Sequence, residues 1–346
     1  MSYRFLASKG ALAAGALAAI ITVPLAAQVP GAAPASKVAK AKSGIVPRTA
    51  DGHPDLQGIW TNATLTPLQR PDEFAGKATV SDAEAAVYEK HDLTTNDIDN
   101  PEAPLLARAG SGSGPTAVGG YNNLFIDRGS ELARVDGVKR TSLIIDPPNG
   151  KMPMRADRIR PQRPPGDAAI TVDDVKLRPL SERCIVGFGS TSGPPMMPVL
   201  YNNNYQIVQT PDAIMILVEM VHDVRIIRMN GTHKPENVTA WLGDSIGHWE
   251  GDTLVVETTN FHEGNRFGGG SAKMRVTERF QRVDAATILY RATIDDPTVY
   301  TQPWTIEYPF VATPGPIYEY ACHEGNYAIT DILGGARRIE EESGKK

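Results

Sequence analysis

Apolar and polar residues alternate with a period of two through much of the second half of the chain, and this alternation predicts β-strands. Large apolar side chains such as Phe280, Tyr290 and Trp304 occupy alternating positions there. The clearest predicted strands cover residues 274–281, 288–294 and 304–310. Three consecutive strands of this kind indicate an antiparallel sheet with one buried face, which closes most economically as a barrel or a sandwich.

Shorter stretches of the same kind add further strands before this meander. They cover residues 141–146, 205–210, 213–220, 224–229 and 253–259. The turn at residues 147–150, in which Gly150 supplies a positive φ, predicts a hairpin, and Pro211-Asp212 predicts a second one. We therefore expect a mainly-β fold.

Helical patterns are rare. Ser81 and Glu84 have the spacing of a capping box and open an Ala-rich stretch that ends near His91. A short helix over residues 329–339 is predicted near the C-terminus, weakened by two adjacent glycines. The glycine-rich residues 110–120 and the Arg/Pro-rich residues 155–167 predict flexible surface loops.

The chain divides into an N-terminal leader and one domain. Residues 1–27 have a basic start, a small-apolar run and an Ala-rich end, the pattern of a secretory signal peptide, with cleavage after Ala27 or after Ala35. Residues 28–50 are typical of a disordered linker. We expect a single β-rich domain over 51–346, irregular and partly helical over 51–170 and strand-rich over 171–346.

Charge and composition narrow the class of partner. The 346 residues include 35 Lys and Arg against 40 Asp and Glu, a formal net charge of −5, which disfavours nucleic acid as a partner. Beyond the signal, no apolar run approaches the roughly 20 residues of a membrane span. We expect Sec-type export to the bacterial periplasm or medium, and a small-molecule ligand or substrate.

The chain contains only two cysteines, Cys184 and Cys322. In an oxidising compartment they could form one disulfide, and the chain-entropy model assigns about 5 kcal/mol to closing so long a loop. The alternatives are two buried free thiols, or a metal or reactive site at Cys322 beside His323.

His222, His248 and His323 each have a carboxylate within two residues, an arrangement that suits a general acid or base because the carboxylate orients the imidazole. The alternative is that each histidine lies at a turn and bonds a backbone carbonyl. The candidate catalytic residues are His222, Asp223, His248, Glu250, His323 and Glu324. No two histidines have the short spacing of metal ligands, so no cofactor is expected, although His and Glu ligands from separate strands would leave no trace in the sequence.

The segment 219–225 is unusually charged for an apolar hairpin. Glu219, Asp223 and Arg225 share one face if the strand is unbroken, whereas His222 and Asp223 face the same cavity only if a bulge intervenes. Such a row is either a solvated face or the polar floor of a ligand cavity, where Arg225 would bind a carboxylate of the substrate or of the protein.

The segment Gly58-Ile59-Trp60 resembles the first strand of lipocalin-like (calycin) barrels. In that group the tryptophan closes one end of the barrel and an arginine from a late strand packs across it. The resemblance implies an antiparallel calycin-like barrel or sandwich, with Gly58 and Trp60 in these roles and Arg279 as the candidate arginine.

Several longer motifs are similar to those of a family of exported bacterial proteins of uncharacterised function. They are Leu180-Ser181-Glu182-Arg183-Cys184-Ile185, Tyr201-Asn202-Asn203-Asn204-Tyr205, His248-Trp249-Glu250-Gly251-Asp252-Thr253-Leu254, Asp296-Pro297 with Pro303-Trp304-Thr305, and Ala321-Cys322-His323-Glu324-Gly325-Asn326-Tyr327. The similarity implies export and supplies no catalytic residue. It directs attention to turns and strand ends, where barrel rims are built. The predicted substrate-binding residues are Arg183, Arg225, Trp249, Trp304, Asn326 and Tyr327.

Together these features favour a cofactor-independent enzyme that acts in the barrel cavity on a small, partly apolar organic molecule, aromatic compounds included. The chemistry would be of the lyase, hydratase or hydrolase type, with a His-carboxylate pair moving the proton and Arg225 or Arg183 holding an anionic or phenolic group. The alternatives are a lipocalin-like binding protein without turnover and a structural, envelope-associated module. Ionisable side chains that converge in one cavity would favour the enzyme.

Overall fold

The computed structural model describes residues 46–95, 126–158 and 174–344. The predicted signal peptide, nearly all of the predicted linker, the loop at 110–120 and most of the loop at 155–167 lie outside these residues.

The described chain consists mainly of short β-strands. The strands are β1 (Gly58–Thr61), β2 (Thr79–Val80), β3 (Arg134–Val135), β4 (Val138–Arg140), β5 (Ile144–Asp146), β6 (Asn204–Gln209), β7 (Ala213–Val218), β8 (Val224–Met229), β9 (Asp244–Glu250), β10 (Thr253–Thr259), β11 (Arg275–Arg282), β12 (Thr287–Asp295) and β13 (Trp304–Ala312). The helices are α1 (Asp82–Thr95) and α2 (Ala328–Glu342). No helix in these ranges is both long and apolar enough to cross a membrane.

Nine strands form a closed barrel. Strands β6 to β13 follow one another in chain order around the sheet, and β1 pairs with both β6 and β13, which closes the ring. All neighbours are antiparallel except β8 and β9, which are parallel. The short β5 pairs with β13 beside β1. This barrel fits a calycin-like, mainly-β fold and confirms the predicted fold class.

The interior of the barrel is filled by the side chains that the period-two pattern predicts. In β12, for example, Ile288, Tyr290, Ala292 and Ile294 are buried while their neighbours are more exposed. The largest fully buried side chains of the barrel strands are Trp60, Tyr205, Phe280, Tyr290, Trp304, Tyr308 and Phe310. Among the described residues the barrel is therefore a packed core.

One end of the barrel, here called the Trp60 end, is closed by residues 46–57. Trp60 Nε1 donates a hydrogen bond of 3.0 Å to Leu56 O, and the guanidinium of Arg282 lies 5.1 Å from the centre of the Trp60 ring. The prediction of Arg279 for this role is wrong. Successive residues of a strand face opposite sides, so Arg282 shares the inner face of β11 with Phe280, whereas Arg279 points outward.

The opposite end is closed by residues 186–203, here called the plug. Three interior tyrosines hold it: Tyr205 Oη donates to Thr191 O at 3.0 Å, Met196 N donates to Tyr290 Oη at 2.9 Å, and Tyr308 Oη donates to Met196 O. The plug is a glycine- and proline-rich loop that lies inside the mouth of the barrel.

After β13 the chain returns to the plug end through residues 313–327, here called the strap. The disulfide between Cys184 and Cys322 joins the strap to the segment that precedes the plug. This confirms the disulfide alternative and excludes the two alternatives that required free thiols.

Several predicted boundaries differ from the observed ones. The predicted strand 213–220 ends at Val218 because residues 220–222 form a turn in which Val221 and His222 have positive φ. Residues 147–150 do form a turn, but it joins no hairpin, since β5 pairs with β13 instead. The capping box at Ser81 and Glu84 is present at the start of α1.

Candidate functional site at the plug end

The predicted catalytic residues lie at opposite ends of the barrel. His248 and Glu250 end β9 at the Trp60 end, where His248 Nε2 is 3.2 Å from Glu250 Oε1 and Arg279 Nη1 is 2.9 Å from Glu250 Oε2. All three side chains are partly exposed on the outer face, and the hydrogen bond from Arg279 lowers the pKa of Glu250. Trp249 stacks on His53 with 4.6 Å between ring centres. Here the structure shows a surface ion-pair network.

Two predicted substrate-binding residues are inside the barrel. Arg225 makes a bidentate ion pair with Glu278, at 3.0 and 2.6 Å, and both side chains are at most 1% exposed. Trp304 is fully buried and packs against Tyr300. The turn at 220–222 separates the members of the charged row at 219–225, and Arg225 binds a carboxylate of the protein, one of its two predicted partners.

His222 and Asp223 lie at the plug end and point in different directions. Asp223 accepts hydrogen bonds from Gly187 N at 3.0 Å and from Ser192 Oγ, so it fastens the plug to the rim. Burial raises the pKa of Asp223. His222 is exposed, with Nδ1 3.3 Å from Tyr320 O in the strap.

The remaining predicted residues belong to the strap or to the segment before the plug. Asn326 Nδ2 donates to Cys322 O at 3.1 Å, and its Oδ1 accepts from Ala328 N at 3.2 Å at the start of α2. His323, Glu324 and Tyr327 are exposed. Arg183 Nη1 donates to Lys176 O at 3.4 Å.

A cavity of about 640 Å³, here called the acidic cavity, opens between the rim, the strap and the plug. It brings together four carboxylates from three segments of the chain, and no Lys, Arg or His is among its lining residues. They are Asp127, Ser181, Tyr201, Asn202, Asn204, Glu219, Glu319, Tyr320, Ala321, Cys322, Glu324, Gly325 and Asn326. Of the predicted site residues, only Glu324, Asn326 and Cys322 line this cavity.

Two of the four carboxylates are held by rigid parts of the fold. Glu219 is 5% exposed and accepts hydrogen bonds from Asn204 Nδ2 at 2.8 Å and from Asn204 N at 3.3 Å. The backbone of Asp127 is fixed by Leu200 and Asn203, and burial raises the pKa of the Asp127 carboxyl. The wall nearest the barrel is therefore preorganised, while Glu319 and Glu324 are exposed on the strap.

A second cavity of about 390 Å³, here called the glycine-rich cavity, lies between the plug and residues 264–268, which follow β10. Arg266 is its only charged lining residue. The full lining is Leu180, Ser181, Val186, Gly187, Phe188, Gly189, Ser190, Ser192, Gly193, Pro194, Gly264, Asn265, Arg266, Phe267 and Gly268. Ser181 also lines the acidic cavity, so the two cavities adjoin the same short segment.

Sequence reasoning missed Asp127, Glu319 and Arg266 entirely. The sequence places Glu219 in a charged row and Asn204 in a motif, but it predicts neither as a site residue. The signal that separates Glu219 from other carboxylates is tertiary: the turn at 220–222 ends β7 and leaves Glu219 at the rim, beside Asn204 of the neighbouring strand.

No group of three or more His, Cys, Asp or Glu side chains in the described ranges is arranged to hold a metal ion. Comparisons with protein-family models, with curated proteins and with solved structures found no match to this chain. The geometry of the two cavities therefore carries the argument about function.

Proposed function

We propose that this protein binds a small organic cation, such as an amine, in the acidic cavity, and that it does so outside the bacterial cytoplasm. The observation that carries the proposal is the convergence of four carboxylates on one cavity that no basic residue lines. The disulfide supports an oxidising compartment, where such bonds persist.

Electrostatics favours a positively charged group at the inner wall. Glu219 is almost completely buried, and opposite charges attract more strongly where water is displaced. Tyr201 and Tyr320 also line the cavity and offer aromatic surface to the apolar part of a cation. The sequence-based expectation of an anionic group held by Arg225 or Arg183 finds no support here, because neither side chain lines the cavity.

The proposal is tested with phenethylamine, a cation with an apolar ring, and with 2-phenylethanol as its uncharged counterpart. We expect isothermal titration to show at least tenfold tighter binding of the amine, a difference of about 1.4 kcal/mol. Glu219→Gln keeps the acceptor for Asn204 but removes the charge, so it should weaken amine binding at least tenfold. The exposed Glu236→Gln serves as the control and should bind as the wild type does. Equal affinity for amine and alcohol would refute the proposal.

The acid-base enzyme predicted from the sequence is the second candidate, at this cavity rather than inside the barrel. It is favoured by Asp127, whose raised pKa suits a group that holds a proton, and which shares the cavity with Glu219. Mass spectrometry of the amine fraction of a cell extract, after incubation with the protein, separates the two candidates. A compound that disappears with the wild type, and survives with Asp127→Asn, would indicate turnover; a compound that is recovered intact on denaturation would indicate binding alone.

A further inference from the structure

We infer that the glycine-rich cavity is a second binding site, which takes a monocarboxylate with a flat apolar body. The inference stands on residues that do not contribute to the acidic cavity, apart from the shared Ser181, and does not depend on the proposed function.

The argument begins with Arg266. Its side chain is half-buried and lines the cavity, and its one hydrogen bond in the described part of the chain is a long one, from Nε to Phe261 O at 3.4 Å. Both Nη atoms of the guanidinium are without a carboxylate partner among the described residues. A guanidinium in this state offers two parallel donors, the geometry that fits a carboxylate.

Several other partly or fully buried arginines of this fold are paired with carboxylates, whereas the buried Arg70 donates instead to Thr141 Oγ1 and to the carbonyl of Pro148. Arg225 pairs with Glu278, and Arg140 pairs with Glu307 at 3.0 Å. The nearby Asp223 does contact the plug, but its carboxylate accepts from Gly187 and Ser192 and does not line the cavity. Arg266 differs from Arg70 in that its guanidinium group belongs to a residue that lines a cavity, where a ligand can supply the counterion.

Two aromatic side chains in the wall around Arg266 are fixed by packing. Phe188 packs edge-on against Tyr201 with 5.5 Å between ring centres, and Phe267 packs against the buried Trp304 at 6.0 Å. Val186 and Pro194, both buried, complete the plug side of the lining. One cationic group beside two aromatic rings fits a single negative charge on a flat apolar body better than it fits a dianion.

Phenylacetate is the probe, and 2-phenylethanol is again the uncharged counterpart. We expect titration to show saturable binding of phenylacetate, weakened at least tenfold by Arg266→Gln. The variant Arg266→Lys should weaken binding only in part, because it keeps the charge but cannot donate two parallel hydrogen bonds. Arg275→Gln is the matched control, an exposed arginine at the same barrel end that lines neither cavity, and should bind as the wild type does. Thermal unfolding of each variant verifies that the fold is retained.

Backbone amide shifts in NMR spectra supply a measurement on the wild-type protein alone. Phenylacetate should shift the amides of residues 187–193 and 264–268. Unchanged affinity in a folded Arg266→Gln variant, equal affinity for 2-phenylethanol, or shifts elsewhere only would overturn the inference. Phenethylamine binding tests the acidic cavity separately, so failure of one site is distinguishable from failure of the other.

Discussion

At the scale of single residues, the most demanding arrangement is the ion pair of Arg225 and Glu278 inside the barrel. Removing charges from water is costly, and the pair is tolerated because Glu278 accepts two hydrogen bonds from Arg225 and one of 2.8 Å from Tyr290 Oη. Tyr290 Oη also accepts from Met196 N, so the pair is connected to the plug.

Truncating one partner of this ion pair should therefore lower the free energy of unfolding much more than replacing both partners by apolar side chains. We expect Glu278→Ala to lower the free energy of unfolding by about 3–5 kcal/mol, because it leaves a buried guanidinium without a counterion. The double variant Arg225→Met with Glu278→Leu should be far closer to the wild type. Denaturant titration measures both; a mild effect of Glu278→Ala would show that water reaches Arg225.

Sequence reasoning had noticed Arg225 but not its partner. A pairing between residues 53 positions apart depends on which strands face each other across the barrel, and the register is set by tertiary packing. The same applies to Arg282 and Trp60: the resemblance predicted the type of contact, and strand parity selected a different arginine from the one expected.

At the scale of elements, the plug is the part that the sequence pattern did not predict. A run rich in Gly and Pro is typical of a surface loop, yet Thr191, Ser192 and Met196 are fully buried. Their burial depends on the barrel mouth that receives them. Strand β9 was missed for a related reason, since it lacks apolar alternation and is held by its neighbours β8 and β10. The strands β11 to β13 were predicted almost completely, because a sheet face buried along its length imposes a period of two.

The attachment of the plug should depend on pH through Asp223. Burial raises the pKa of Asp223, so folding favours its protonated form; that contribution to stability is present at low pH and is lost as pH rises through the folded-state pKa. Asp223→Asn imitates the protonated form. We expect the variant to gain stability over the wild type as pH rises from below the usual Asp pKa to neutral, measured by denaturant titration at each pH. If the unfolding free energies of the variant and the wild type change in parallel with pH, this expectation is contradicted.

At the scale of the whole molecule, the disulfide couples the strap to the plug side of the barrel, across a sequence separation of 138 residues. Its two ends come from segments that line the acidic cavity, so it affects both stability and the shape of that cavity. The rest of the cavity wall comes from Asp127, the plug and the rim.

Loss of the disulfide should have two measurable effects. We expect the variant with Cys184→Ser and Cys322→Ser to lose up to about 5 kcal/mol of unfolding free energy, the upper limit of the chain-entropy model. Phenethylamine binding should weaken more than phenylacetate binding, because Cys322 lines only the acidic cavity. Equal weakening of the binding of both ligands would indicate a general loss of structure instead. Thiol labelling of the native protein should count no free thiol before reduction and two after it.

The parallel pair β8 and β9 has a consequence of simple parity. Strands that alternate up and down around a ring return to their starting direction only when their number is even, so a ring of nine must contain a neighbouring pair of the same direction. That pair obliges residues 230–243 to lead the chain back along β8, so that β9 begins beside the middle of that strand, where Ser245 pairs with Ile227. Asp244, at the start of β9, holds this connection in place, because its carboxylate accepts hydrogen bonds from Arg228 Nη2 at 2.9 Å and from Lys234 N at 2.9 Å. A barrel that gained or lost one strand would need no such return connection between two parallel neighbours.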